Sequence, residues 1–276
     1  MTALWRVLQG PGGVLFLAIV ALAAVLPMLS GTPAEQALPP IGVQEAAGAH
    51  PLGTDQMGRD MLWQLSRAVA ITLLICLTAL GGQVVLGTVL GVLFGTLGGA
   101  VGRPLVGLAG FLHMLSIPLL ALLALAALRV GGTVEALPIQ GATLLACVLA
   151  VCGWPRIARD AGRALLRERQ SAHARAAREL GMGPIRLFTR HLQSAMHHPI
   201  RLGAMVTLIE TVIALILIGV VGLGAQVPTL GALLANGIAV FDRALWWPLA
   251  WPLLVTLALL VSLGLITRHV AREARP

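Results

Sequence analysis

Ala174-Arg175-Ala176-Ala177-Arg178-Glu179-Leu180-Gly181-Met182-Gly183-Pro184 lies near the middle of a chain that is otherwise mostly apolar. Ala176, Ala177 and Leu180 share one side of a short helix, and Gly181-Met182-Gly183-Pro184 stops that helix and turns the chain. A second helical stretch is expected over 185–197, so the segment reads as an elbow of two short helices. Arg175, Arg178, Arg186 and Arg190 ring it. A narrow apolar face with a charged rim suits insertion into a groove of another protein.

On both sides of the elbow the composition points to lipid. The 276 residues are 58% hydrophobic and 11% charged, with mean hydropathy +0.91, against roughly 25% charged residues in an average soluble domain. Such a chain cannot hide its apolar surface in one water-soluble core and is expected to be an all-α integral membrane protein. Windows of about twenty apolar residues pick out spans at 13–29, 68–97, 105–128, 139–154, 202–223 and 245–266. An even number of crossings brings both ends to one side.

Charge gives the orientation. The formal charge is +8, and all nineteen basic residues are Arg, ten of them between 154 and 201. Arginine is retained on the cytoplasmic side of membranes, so the cluster reads as a topology signal rather than a nucleic-acid footprint. With this segment inside, both termini are inside, in keeping with Arg268, Arg272 and Arg275 near the end of the chain. The stretch 31–67 then lies outside, with Glu35, Glu45, Asp55 and Asp60 set against Arg59 and Arg67. The apolar start of the chain lacks a convincing small-residue cleavage site and is expected to stay as the first span.

Within the spans, Gly87, Gly91, Gly95 and Gly99 recur every four residues and bare one helix face, which lets a neighbouring helix approach closely. Pro118, Pro248 and Pro252 should start or kink helices, because each lacks an amide donor. Glu210 is the clear acidic residue inside a span. It either lines an aqueous path or pairs with a neighbouring helix or subunit. Cys76, Cys147 and Cys152 read as small hydrophobes.

Two stretches carry a resemblance. His50-Pro51-Leu52-Gly53-Thr54-Asp55-Gln56-Met57-Gly58-Arg59-Asp60-Met61-Leu62 closely resembles the HPLGTDxxGRD signature of the second, C-type permease of dipeptide, oligopeptide and nickel ABC importers. Physically it is a turn entering a helix, with capping-type Thr54 and Asp55, with Gly53 and Gly58, and with Arg59 and Asp60 able to pair at a subunit surface. Gly153-Trp154-Pro155-Arg156-Ile157-Ala158-Arg159, followed by Ala176, Ala177 and Gly181, is similar to the family's GWPxxAR run and its cytoplasmic coupling loop. Gly222-Leu223-Gly224-Ala225-Gln226-Val227-Pro228-Thr229 is a weaker match to an external turn. The chain departs from the pattern at Arg175, where Glu is usual, at Ser194, where Pro is common, after Thr229 and in the C-terminal tail. These departures bear on the substrate subgroup.

The resemblance implies a type I ABC importer permease fold of six transmembrane helices. An N-terminal span and extracytoplasmic segment would occupy 1–67, and a permease core 68–276, with a cytoplasmic coupling helix-turn-helix within 155–201. It implies a multi-pass protein of the bacterial cytoplasmic (inner) membrane, with a homologous permease, two ATPase subunits and an extracytoplasmic binding protein as partners. Arg175, Ala176, Ala177, Arg178, Leu180 and Gly181 would couple to the ATPase, while Gly53, Thr54, Asp55, Gly58, Arg59 and Asp60 would form the signature and subunit contact. Glu210 is the candidate for the translocation path. No catalytic residue, metal or cofactor is expected in this chain. Without Lys it cannot hold a Walker-type phosphate loop, so ATP and magnesium belong to the partners.

Peptide is the expected substrate, with nickel or a metal chelate as the alternative. An ion-coupled secondary transporter would need intramembrane acidic pairs or two related halves. A metalloenzyme would have to use His191, His197 and His198, whose spacing fits no common zinc pattern. Replacing Gly181 by Trp is expected to abolish uptake while leaving the protein in the membrane. Uptake that survived Gly181→Trp with normal ATPase recruitment would remove the coupling role from this segment.

Overall fold

The computed structural model describes residues 10–30, 50–97, 101–130, 141–180, 193–224, 227–242 and 245–272. Among them run the helices α1 (Pro11–Ser30), α2 (Met61–Thr96), α3 (Gly102–Met114), α4 (Ile117–Val130), α5 (Ala142–Glu168), α6 (Ala172–Glu179), α7 (Gln193–Val220), α8 (Leu230–Phe241) and α9 (Trp247–Arg272). Helices α2, α5, α7 and α9 are each long and apolar enough to cross a membrane. Helices α3 and α4 form a pair bent by 80°, a geometry that serves either a broken span or a re-entrant loop. Among the described residues this gives up to five crossings where six were expected. The remaining candidate is α1, a 20-residue apolar helix packed on α2 and α9.

The bundle has two chemically distinct ends. At one, the start of α1 meets the end of α9, where Gly12 abuts Ser262, Leu265 and Ile266. Ile266 and Val270 of α9 pack on Met205 of α7, and the C-terminus of α2 meets Arg169 beyond α5. This is the arginine face. At the other end the signature loop leads into α2 beside Trp247, and Gly141 before α5 adjoins Val227.

The most extensive pairing is between α2 and α5. In lipid no hydrophobic drive presses helices together, so close van der Waals contact must do so. A Cβ on Gly87 would meet Ile157 Cβ at 2.6 Å, one on Gly91 would meet the Ala158 carbonyl and Ala161 Cβ at 2.8 Å, and one on Gly95 would meet Leu165. The four-residue stripe is therefore a helix–helix seam over these three glycines; Gly99 lies outside the described residues.

A polar node crosses the same seam. Gln83, fully buried in α2, donates to the Leu149 carbonyl of α5 at 2.9 Å and to Thr211 Oγ1 of α7 at 3.0 Å. Only a glycine at 153 leaves it room. Such interhelical bonds average about 0.6 kcal/mol in a membrane bundle, so this one fixes the mutual register of three helices more than it stabilises them. Thr72 Oγ1 of α2 accepts from Leu230 N at 3.0 Å and so anchors the N-terminus of α8, where Thr229 accepts from Ala232 N.

Several boundaries differ from the sequence expectation. Helix α2 begins at Met61 rather than 68, because Asp60 caps it, and a division at 67/68 falls inside one continuous helix. The span expected at 105–128 breaks at 115–116, and Pro118 stands in the first turn of α4, where a missing amide is harmless. Helix α5 does not stop at Trp154. It passes through Pro155 and continues to Glu168, so the first part of the loop placed at 155–201 is the same helix. Helix α7 begins at Gln193 and carries Pro199 inside it. The rest of the second elbow helix, 185–192, lies outside the described residues. Helix α8 was not foreseen.

The seam makes a sharp contrast between two glycines of α2. A Cβ at Gly81 would meet nothing within 4 Å, whereas Gly91 faces backbone and Ala161. Gly91→Leu is expected to destabilise the detergent-solubilised protein by about 1–3 kcal/mol through overpacking, and Gly81→Leu to leave it unchanged. Thermal unfolding of the two variants beside the native protein decides the point, and equal midpoints for all three would refute the seam.

Candidate functional site

The elbow is built onto the end of α5. After Glu168 the chain makes a tight turn, with Gln170 N donating to Arg167 O and Ser171 N to Glu168 O, both at 3.0 Å. Ser171 Oγ then accepts from Ala174 N at 3.2 Å and opens α6 as a side-chain cap. Arg169 folds back across the seam, and its Nη1 donates to the Gly95 carbonyl at 2.9 Å and to that of Thr96 at 2.6 Å. These are orphan carbonyls at a helix C-terminus, where a cation is favoured.

One face of α6 is taken up by its own bundle. Ala174 is buried with Ala161, Leu165 and Met196. Arg175 and Ala176 are exposed, and Leu180, just past the helix, is 87% exposed. The sequence placed Ala176, Ala177 and Leu180 on the recognition face without noticing that Ala174 docks the helix. Ala177 and Arg178 belong to α6, and Gly181 lies outside the described residues.

Deeper in the bundle Glu210 of α7 forms an ion pair with Arg156 Nη2 of α5. The two side chains are 27% and 19% exposed, so the site is half-sheltered rather than dry. A lone acid there would carry a heavy desolvation cost, and the guanidinium offsets it. Glu210 is thus paired to a neighbouring helix. Arg159 Nε pairs with Asp160 at 2.9 Å on the same stretch of α5. Arg156 Nε and His198 Nε2 are buried with no hydrogen-bond partner among the described residues.

At the opposite end the signature residues cap α2. Gly53 and Gly58 adopt φ of 79° and 74°, a region glycine enters without steric cost. Thr54 and Asp60 form an isolated antiparallel bridge, and Asp55 N donates to Arg59 O at 2.9 Å. Asp55 is the hub: Oδ1 accepts from Met57 N at 2.9 Å and Arg59 N at 2.8 Å, while Oδ2 accepts from Arg59 Nε at 2.8 Å and Gln64 Nε2 at 2.7 Å. Asp60 accepts from Leu62 N at 2.8 Å and meets His50 Nδ1 at 3.3 Å. Within the chain, then, Arg59 pairs with Asp55 and not with Asp60, because Asp60 is committed to the cap. Trp247 Nε1 donates to the Thr54 carbonyl at 3.1 Å and ties the loop to α9.

The predicted site residues thus fall into two groups at opposite ends, with Glu210 on α7 between them. The sequence reading missed Gln83, Thr72, Arg156 as the partner of Glu210, and Trp247. A lone Gln in a long apolar run was a visible signal for the first; the others are pairings across helices that no local pattern encodes. Among the described residues no three His, Cys, Asp or Glu side chains gather as a metal site; His191 lies outside them.

Residues 87–276 match the family described as binding-protein-dependent transport system inner membrane component. The di/tripeptide transport system permease protein DppC of Pseudomonas aeruginosa is 28% identical over 265 residues, covering 92% of this chain and 84% of that protein. The probable D,D-dipeptide transport system permease protein DdpC of Escherichia coli is 30% identical over 209 residues, 75% of this chain and 66% of that protein. The dipeptide transport system permease protein DppC of Haemophilus influenzae is 27% identical, over 92% of this chain and 85% of its own length. In fold, the chain is similar to a solved structure of the MetNI methionine ABC transporter in inward-facing conformations, with TM-score 0.61 and 21% identity over 78% of this chain and 98% of that one. The helical bundle with its elbow on one face is therefore a multi-pass inner-membrane permease of the ABC importer type, and the chain belongs to the family of binding-protein-dependent transport system inner membrane components.

Proposed function

We propose that this chain forms one half of a translocation path for short peptides, paired with a homologous permease and driven by two ATPase subunits that bind ATP and magnesium. An extracytoplasmic binding protein delivers the substrate. The peptide class rests on relatives named for di/tripeptide and dipeptide transport. The arginine face is cytoplasmic by the positive-inside bias, which puts both termini inside and the signature loop outside.

The observation that carries this reading is the elbow. Helix α6 is fastened to α5 through Ala174 on one side and offers Ala176 and Leu180 on the other. A tip held rigidly on a membrane helix and apolar toward water suits a partner groove. In the mechanism that follows, ATP-driven closure of the ATPases pushes α6. Buried Ala161 and Leu165 pass the push to α5, and the glycine seam passes it to α2. The Arg156–Glu210 pair and the Gln83 node tie α7 into the same motion. ATP hydrolysis itself takes place in the partners.

Purification of the tagged protein in mild detergent is expected to bring down a second permease and the ATPases. Leu180→Asp places a charge on the apolar tip and is expected to lose the ATPases, with uptake of a labelled dipeptide falling at least about tenfold, the equivalent of about 1.4 kcal/mol, while the second permease stays bound. Recovery of a lone homo-oligomer from the native protein, or full ATPase recruitment by the variant, would contradict the proposal.

A further inference from the structure

A groove runs between α5 and α7 at the arginine face, and its chemistry is not used by the coupling reading. It encloses about 350 Å³ and is lined along α5 by Arg156, Asp160, Arg163, Ala164 and Arg167 and along α7 by His198, Pro199, Leu202, Gly203 and Val206. On each helix the lining residues recur at spacings of three and four, so each set forms one helical stripe.

Its charges do not balance. Arg156 is matched by Glu210, and Asp160 by Arg159. Arg163 and Arg167 have no ion pair or hydrogen bond among the described residues and stand one turn apart on the groove wall. Opposite them stands the His198 ring of α7. The rest of the lining is largely apolar, with Ala164, Pro199, Leu202 and Val206. Two exposed guanidiniums beside apolar lining, at the cytoplasmic rim of a membrane bundle, are the surroundings that a phosphate with an attached hydrocarbon portion requires.

We infer that the α5–α7 groove binds a phosphate group through Arg163 and Arg167, with an inner-leaflet anionic phospholipid as its source. The guanidiniums take the phosphate oxygens. The glycerol portion rests on Leu202 and Val206. The lipid would wedge between the two helices that carry the Arg156–Glu210 pair, and so bear on their relative position.

The test uses the full-length protein with whatever copurifies with it, in native mass spectrometry, titrated with phosphatidylglycerol, with phosphatidylcholine and, separately, with inorganic phosphate. The native protein is expected to retain one phosphatidylglycerol in preference to phosphatidylcholine, and the Arg163→Ala/Arg167→Ala variant to bind it at least about tenfold more weakly, since both charge-assisted contacts are lost. Arg268→Ala/Arg272→Ala removes the same charge from exposed positions on α9 and is expected to bind like the native protein. Leu202→Trp fills the groove with every charge in place and should show the same loss, which keeps the result readable if the double variant folds poorly. Binding of inorganic phosphate with the same dependence on Arg163 and Arg167, without lipid retention, would support the phosphate site and assign its source to solution. Equal loss in the α9 variant, or no preference for phosphatidylglycerol or phosphate in the native protein, would overturn the inference.

Discussion

The close approach of α2 and α5 is the constraint on which the rest of the molecule depends. Glycines at 87, 91 and 95 bring the α2 backbone onto Ile157, Ala158, Ala161 and Leu165, and dispersion at this range replaces the hydrophobic drive that lipid removes. Two polar contacts of the bundle are placed by this approach. Gln83 reaches the Leu149 carbonyl because a glycine stands at 153, and Arg169 reaches the end of α2 because Leu165 lies flat on Gly95. Had α2 carried alanines or larger residues there, the helices would stand apart and each of those groups would lose its partner.

The same contact makes α2 a strut between the two faces. Its 36 residues span about 54 Å at 1.5 Å per residue, well beyond the roughly 30 Å of hydrocarbon. One end is capped by Asp60 of the signature loop and the other by Arg169 from beyond α5. The signature loop and the elbow are thereby joined through one rigid element, although they share no direct contact.

Much of this was legible in the sequence, and the reasons are specific. Apolar length reveals a span because lipid demands it, so α2, α5, α7 and α9 were each found near their true positions. The stripe of glycines was legible as a packing face because its period matches the helix. What failed was the ends of helices. Asp60 extends α2 toward the signature by capping it, and α5 runs past Pro155 because its continuation is buried: Ile157, Ala158, Ala161 and Leu165 all face α2. Hydropathy windows respond to arginines on the outer face of that stretch and end the span too early. Helix α8 was missed because twelve residues are too few for a crossing; its position comes from Thr72 and the contact of Gly219 with Gly231. Pairings such as Arg156 with Glu210 join positions far apart in the chain, and a single sequence holds no signal for them.

The two faces also differ in how far their polar groups are already satisfied, and this separates scaffolding from recognition. In the signature loop both oxygens of Asp55 are occupied, Asp60 is spent on the cap and on His50, and Trp247 closes over the Thr54 carbonyl. The charged groups of this motif are bonded within the chain, and its residue pattern follows from the geometry of entering α2. On the arginine face Arg163 and Arg167 are exposed and have no ion pair among the described residues, and Leu180 projects into water. A bundle whose interior depends on close backbone contact gains little from leaving such groups unmatched, since two like charges one turn apart repel. The arginine face thus leaves charged and apolar side chains open to solvent, where the signature loop commits its charged groups internally.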